Sequence, residues 1–182
     1  ASATVTDSDI TTNILAAATG DLTVSADNTS GIDATINAST SSGDTAVGIM
    51  LAFNTLGWKS QDILTRTVDA IIGDPAIANA FGLQDAAQAI AKIVDSNLTV
   101  AGDLTLTADA STQLNATISN AAVSEASALY GASGMSVAGL LSSNMVNSEA
   151  QAYIDDTDGT HVAIVTGAAS VEATDEAGIY AN

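Results

Sequence analysis

The sequence predicts an all-β protein, built as a parallel β-helix (β-solenoid) with a short α-helical insertion. Three observations predict it. Apolar and polar residues alternate with period two over many short segments, the signature of half-buried strands. Blocks of sequence recur in the same order along the chain. The apolar side chains are also small: hydrophobic residues make up 47% of the composition and aromatics only 3%. A narrow solenoid interior needs small side chains that stack on their like from coil to coil. An antiparallel β-sandwich, or a stack of them, also accommodates period-two strands and Gly/Asp turns. The solenoid is preferred because the repeat units differ in length yet keep their block order, which insertions into coils produce.

The first block is SATVTDS, from Ser2. It returns as IAKIVDS from Ile90 and as QAYIDDT from Gln151. Ala3, Val5 and Asp7 align with Ala91, Ile93 and Asp95, and again with Ala152, Ile154 and Asp156. The second block is GDLTVSADNTSGIDATI, from Gly20, which returns as GDLTLTADASTQLNATI from Gly102. Leu22, Val24, Ala26, Ile32 and Ala34 align with Leu104, Leu106, Ala108, Leu114 and Ala116. A weaker third copy aligns Ala169, Val171, Ala173, Ile179 and Ala181, so the spacing is 82 and then 65 residues. Gly, Asp, Asn and Ser mark the breaks, as turns require.

The third block is VGIMLAFNTL from Val47, returning as VAGLLSSNMV from Val137, with Asn54 opposite Asn144 and Leu56 opposite Val146. An inward-turned Asn after an apolar run can hydrogen-bond turn backbone as a ladder; the plainer reading is an ordinary loop asparagine. The repeat units fall at about 1–89, 90–150 and 151–182, the last truncated. Residues 1–182 then form one continuous solenoid segment of a longer chain.

Unequal spacing locates the insertion. Ile32 and Ile93 are 61 residues apart and Leu114 and Ile154 only 40, so the first unit carries about 21 extra residues. They lie within about 58–83, where the period changes. Ile63, Leu64, Val68, Ile71 and Ile72 follow helical spacing. Ser60 is a fitting N-cap and Gly73 a fitting stop, and Asp74-Pro75 reads as a second N-cap with Pro at the first helical position. Packing as a lid on its own domain is the first reading. A contact site for a neighbouring chain or ligand is the sharper one, with Trp58 and Phe81 as its anchors.

Charge narrows the function. Twenty-one acidic residues stand against 3 basic ones, a net charge of −18. Nucleic acid and anionic membrane surfaces both require Lys and Arg to neutralise phosphate, so neither is an expected partner. No run is long and apolar enough to insert into a membrane. The chain has no Cys and a single His, so no cofactor is expected and zinc is disfavoured. A calcium site is the one metal candidate, at the turn carrying Asp155, Asp156 and Asp158. That turn is not an EF-hand loop, because Ile154 and Val165 occupy the terminal ligand positions. His161 reads as an exposed turn residue rather than a general base.

The blocks QAYIDD, GDLTLTA, SALYGASGM and GLLSSNMV resemble the repeats of giant bacterial surface or secreted proteins, the adhesin-like and haemagglutinin-like repeat proteins. Those carry runs such as A-x-A-x-I-D-D-S and G-D-V-x-V-x-A, and NTLGWKSQDIL…VDAIIGDPAIANAFG looks like a variant unit of the same kind. The resemblance covers essentially the whole chain, although the third unit departs by being cut short. It implies a β-solenoid, display outside the cell or on the bacterial surface, and a structural or adhesive role with no catalytic residues. The expected function is a structural module of a fibre, stalk or surface layer. Its partners would be other copies or adjacent repeats, stacked end to end. A ligand-binding adhesin module contacting surface glycan is the alternative. A polysaccharide-active enzyme comes last, since only six aromatics exist to form sugar platforms.

Overall fold

The computed structural model describes residues 1–13, 19–42, 45–58, 84–124 and 134–182. The expected helical insertion and Phe81 lie outside the described residues, apart from Trp58 at its edge. Eleven strands follow one another: β1 (Ser2–Thr6), β2 (Asp9–Thr11), β3 (Leu22–Ser42), β4 (Thr45–Leu56), β5 (Ala87–Val94), β6 (Asn97–Val100), β7 (Leu104–Ser124), β8 (Met135–Val146), β9 (Ser148–Asp155), β10 (Ala163–Val165) and β11 (Ala169–Ala181). No helix occurs among the described residues.

Strands consecutive in sequence do not pair. Each pairs with its counterpart in the next repeat, giving sheets ordered β1-β5-β9, β2-β6-β10, β3-β7-β11 and β4-β8. The protein is therefore all-β, with parallel strands in stacked sheets. This removes the antiparallel sandwich: hairpins join antiparallel neighbours through short turns, whereas here paired strands lie most of a repeat apart.

Register follows the sequence repeat residue for residue. Ala3 and Val5 face Ala91 and Ile93, which in turn face Ala152 and Ile154. Asn54 faces Asn144 and Leu56 faces Val146. A slip of one residue would turn every inward Ala, Val and Ile to solvent, so the shared alternation locks the pairing.

Two strands differ from expectation. The Asn/Ser/Gly stretches in the second block read as breaks between short strands, yet β3 and β7 each run unbroken for 21 residues. Two of the polar residues bond from within the strand instead: Asn28 Nδ2 donates to Gln88 O in β5, a strand of another sheet, at 2.9 Å, and Ser30 Oγ donates to Asn28 Oδ1 at 2.6 Å.

The chain divides into two compact units. The first comprises Ala1–Ser30, Gln84–Thr112 and Asn147–Ala177. Its core holds Val24, Ala26, Ala89, Ala91, Ile93, Leu98, Val100, Leu104, Leu106, Ala108 and Ala110, almost all at or near full burial. The second comprises the described residues of Gly31–Leu83, Gln113–Val146 and Gly178–Asn182. There Ala46, Met50, Ala52, Leu114 and Ala116 are buried. Asn120 ties backbone within it, its Nδ2 donating to Gly48 O at 3.1 Å and Gly139 O at 2.7 Å.

In the first unit the Gly-Asp dipeptides form a stacked corner. Asp21 Oδ1 accepts from the Asp103 N–H at 2.8 Å, and Asp103 Oδ1 accepts from the Ala168 N–H at 2.8 Å. The backbones approach so closely that only glycine fits. A Cβ on Gly102 would lie well inside contact with Asp21 Oδ1 and Thr19 O, and 2.9 Å from Gly20 C. One on Gly167 would lie 2.6 Å from Gly102 O. The Thr19 hydroxyl, and then the Asp103 N–H, hold the Asp21 carboxyl below the usual carboxylate range.

Candidate functional site

Among the described residues, one group of two carboxylates and the histidine sits at another corner of the first unit, between β1 and β2, β5 and β6, and β9 and β10. Asp7 and Asp95 turn the chain there in the left-handed region, with φ of 49° and 46°. Asp tolerates this conformation better than most non-glycine residues, because its short polar side chain can bond locally. Their sequence counterpart, Asp156, opens a longer loop through His161.

Neighbouring repeats are knitted together at this corner. Asp95 Oδ1 accepts from Thr157 N at 2.7 Å, and both carboxylate oxygens accept from the Thr157 hydroxyl at 2.9 Å. Asn97 Nδ2 donates to Asp9 Oδ1 at 2.7 Å, while Asn97 Oδ1 accepts from Val162 N at 3.0 Å. Within the loop, Asp156 accepts from Gly159 N and His161 N, both at 3.1 Å. His161 Nδ1 lies 3.0 Å from Asp156 Oδ1 and 3.4 Å from Asp158 Oδ1. Asp158 Oδ1 also accepts from Thr160 N at 3.0 Å and from the Thr160 hydroxyl at 2.6 Å.

These contacts set the charges. The His161 hydrogen bond, outweighing partial desolvation, pulls the Asp156 carboxyl down to about 2. The same bond lifts the His161 imidazole above its usual value, with the charges of Asp156, Asp158 and Asp95 adding to it. Beside the loop is an open recess of about 240 Å³, lined by Asp7, Ser8, Asp9, Asp95, Asn97 and His161.

Of the sequence-predicted calcium residues, Asp156 and Asp158 meet at His161, while Asp155 ends β9. The structure instead brings Asp95, Asp156 and His161 together, with one ligand atom from each within 4.8 Å of the others. Sequence reasoning passed over Asp95 and His161 as site members. Aligning Asp95 with Asp156 was the signal for the first; nothing periodic marks the second. Two carboxylates and an imidazole are metal donors in type. Here Asp156 already accepts two backbone N–H groups besides facing the ring, and Asp95 accepts from Thr157. A cation there would compete with the His161 ring for Asp156 Oδ1. Thr160 Oγ1 is 3.5 Å from His161 Nδ1, the nitrogen that also faces Asp156. Among the described residues no hydroxyl bonds the other ring nitrogen, where a triad needs its nucleophile.

The remaining predicted positions lie elsewhere. In the second unit Asn54 Nδ2 donates to Asn144 Oδ1 at 2.9 Å, amide to amide across β4 and β8. Trp58 is half-buried. No family model, no curated protein and no solved structure matches this chain.

Proposed function

We propose that the chain is a structural module of an extracellular or bacterial cell-surface fibre, stalk or surface layer, a β-solenoid segment whose coils stack end to end. One observation carries the reading: the spacing of the sequence repeat is the spacing of the strand pairs. Equivalent residues of successive repeats bond to one another, as Asn97 does to Asp9 across 88 residues and Gln88 to Glu149 across 61. A fold whose repeats serve mainly as one another's neighbours suits a protein that works by shape. The candidate corner fits the same reading, since its polar groups are spent on joining repeats and closing a loop.

Negative-stain electron microscopy of the native material tests this. Filaments or sheets of uniform width are expected. Discrete monomeric particles at all concentrations overturn the fibre reading and return attention to ligand binding.

A further inference from the structure

Charge is divided unevenly between the two units. The first holds fifteen of the 21 acidic residues. Among the described residues of the second, only Asp33 is charged, and its Oδ1 accepts from Asn115 Nδ2 at 2.6 Å. Neither β4 nor β8 carries a charged residue, and the outer face of that pair presents bare apolar side chains. Val47 is 52% exposed although its neighbour Ala46 is 1% exposed, so the opening belongs to one face of the strand and not to its edge. Parallel partners share a face, which puts Val137 beside Val47 and Met135 two positions before it; they are 48% and 56% exposed. Exposed apolar side chains gathered on one face, with no charge among them, mark an interaction surface.

We infer that this face of β4–β8 packs against the same face of a second copy of the chain, sheet on sheet about a two-fold axis. Charge argues for that occupant. A cationic partner finds its carboxylates in the first unit and nothing to pair with here. An anionic partner is repelled by the −18 of the whole chain. What fits is a surface both apolar and uncharged, and this face is itself one, so it complements itself. Two copies that each carry −18 repel least when they meet through residues without charge, and salt screens the remainder. Size sets the strength. Twelve paired residues rising about 3.3 Å each, on two strands about 4.8 Å apart, cover roughly 400 Å² per copy. A standard interface buries about 800 Å² per partner, so the dimer is a weak one, populated at high concentration. The contact is lateral and closed, so it does not rest on the end-to-end stacking proposed above.

Sedimentation equilibrium of the chain from about 10 µM to about 1 mM, at about 0.1 M and about 0.5 M NaCl, tests this. A monomer–dimer equilibrium is expected, tighter at the higher salt. Val47→Asp and Val137→Asp each place a carboxylate in the contact on both copies at once, and each should lower the association constant at least about tenfold. Thr23→Asp adds the same charge at an exposed position of the first unit and should leave that constant within about twofold. The chain has no Cys, so Val137→Cys gives a reading that needs no added charge and serves if an aspartate variant loses the wild-type circular dichroism spectrum. Its rate of alkylation should fall as the protein is concentrated, whereas Thr23→Cys should react at one rate throughout. Monomer at every concentration overturns the inference, as does equal weakening by Thr23→Asp or alkylation of Val137→Cys that ignores concentration. Association that runs past the dimer and is untouched by Val47→Asp would refute this face and leave the fibre reading intact.

Discussion

Gly102→Ala tests the close-packed Gly-Asp corner. The added methyl would collide with Thr19 O and Gly20 C, which are backbone, and with the Asp21 carboxylate. Backbone bonded into a stacked corner cannot swing aside as a side-chain tip can, so the corner must open. Opening it stretches the bond from the Asp103 N–H to Asp21 Oδ1, now 2.8 Å, and the backbone bond from Gly102 N to Gly20 O, now 3.0 Å. A hydrogen bond to a charged acceptor contributes about 1.5–3 kcal/mol, and overpacking costs about 1–3 kcal/mol. Together they predict a loss of about 2.5–6 kcal/mol. Two glycines serve as controls. Gly31 lies in β3, where a Cβ would meet only Gln113 O at an ordinary 3.5 Å, so Gly31→Ala should fall within about 1 kcal/mol of wild type. Gly159 has φ of +70° with nothing within 4 Å, so Gly159→Ala should cost only the left-handed strain of about 1–2 kcal/mol. Urea unfolding followed by far-UV circular dichroism reads all three. A loss below about 1 kcal/mol for Gly102→Ala, at unchanged denaturant slope, would refute the close-packed corner.

Thr112 is fully buried and its hydroxyl has no partner among the described residues, so Thr112→Val should leave stability unchanged or raise it by about 1 kcal/mol in the same assay; a loss above that size means the hydroxyl is bonded. Asn54→Ala, Asn144→Ala and the double variant should show a coupling of about 1 kcal/mol in a double-mutant cycle, and strict additivity would show that the 2.9 Å amide contact contributes nothing. The loop should titrate in two windows. His161, raised above 6.5, contributes stability that is complete below that value and lost as pH rises through its folded value; Asp156, lowered to about 2, contributes stability present above 3.8 and lost as pH falls towards 2. Imidazole resonances in NMR should report the raised His161 value and its return towards 6.5 in Asp156→Asn, and a wild-type value at or below 6.5 counts against the contact.

Much of the fold was legible because a stacked parallel sheet places like on like. Ala3, Ala91 and Ala152 form one column, and that column is written along the sequence as a repeat. Strand length was less legible. Asn28, Ser30 and Gly31 have turn chemistry, and only the position of Gln88 shows that Asn28 instead bonds to a strand of another sheet. The corner was half legible. Asp7, Asp95 and Asp156 align, but the sequence does not reveal that Asp156 turns onto its own loop. His161 was hidden because one residue has no period, and its contact depends on how the chain bends through Gly159.

Four of the corner bonds share a direction. Asp21 waits for the N–H of Asp103, Asp103 for that of Ala168, Asp95 for Thr157, and Asn97 for Val162. In each case the acceptor belongs to the earlier part of the chain and the backbone donor to the later. A polypeptide that leaves the ribosome or a secretion pore N-terminus first therefore meets, at each of these corners, a side-chain oxygen already in place. The Gly-Asp series stops at Ala168, which has no carboxylate to offer the next arrival. Folding can thus advance as a template-directed process, one turn at a time, without waiting for the chain's far end.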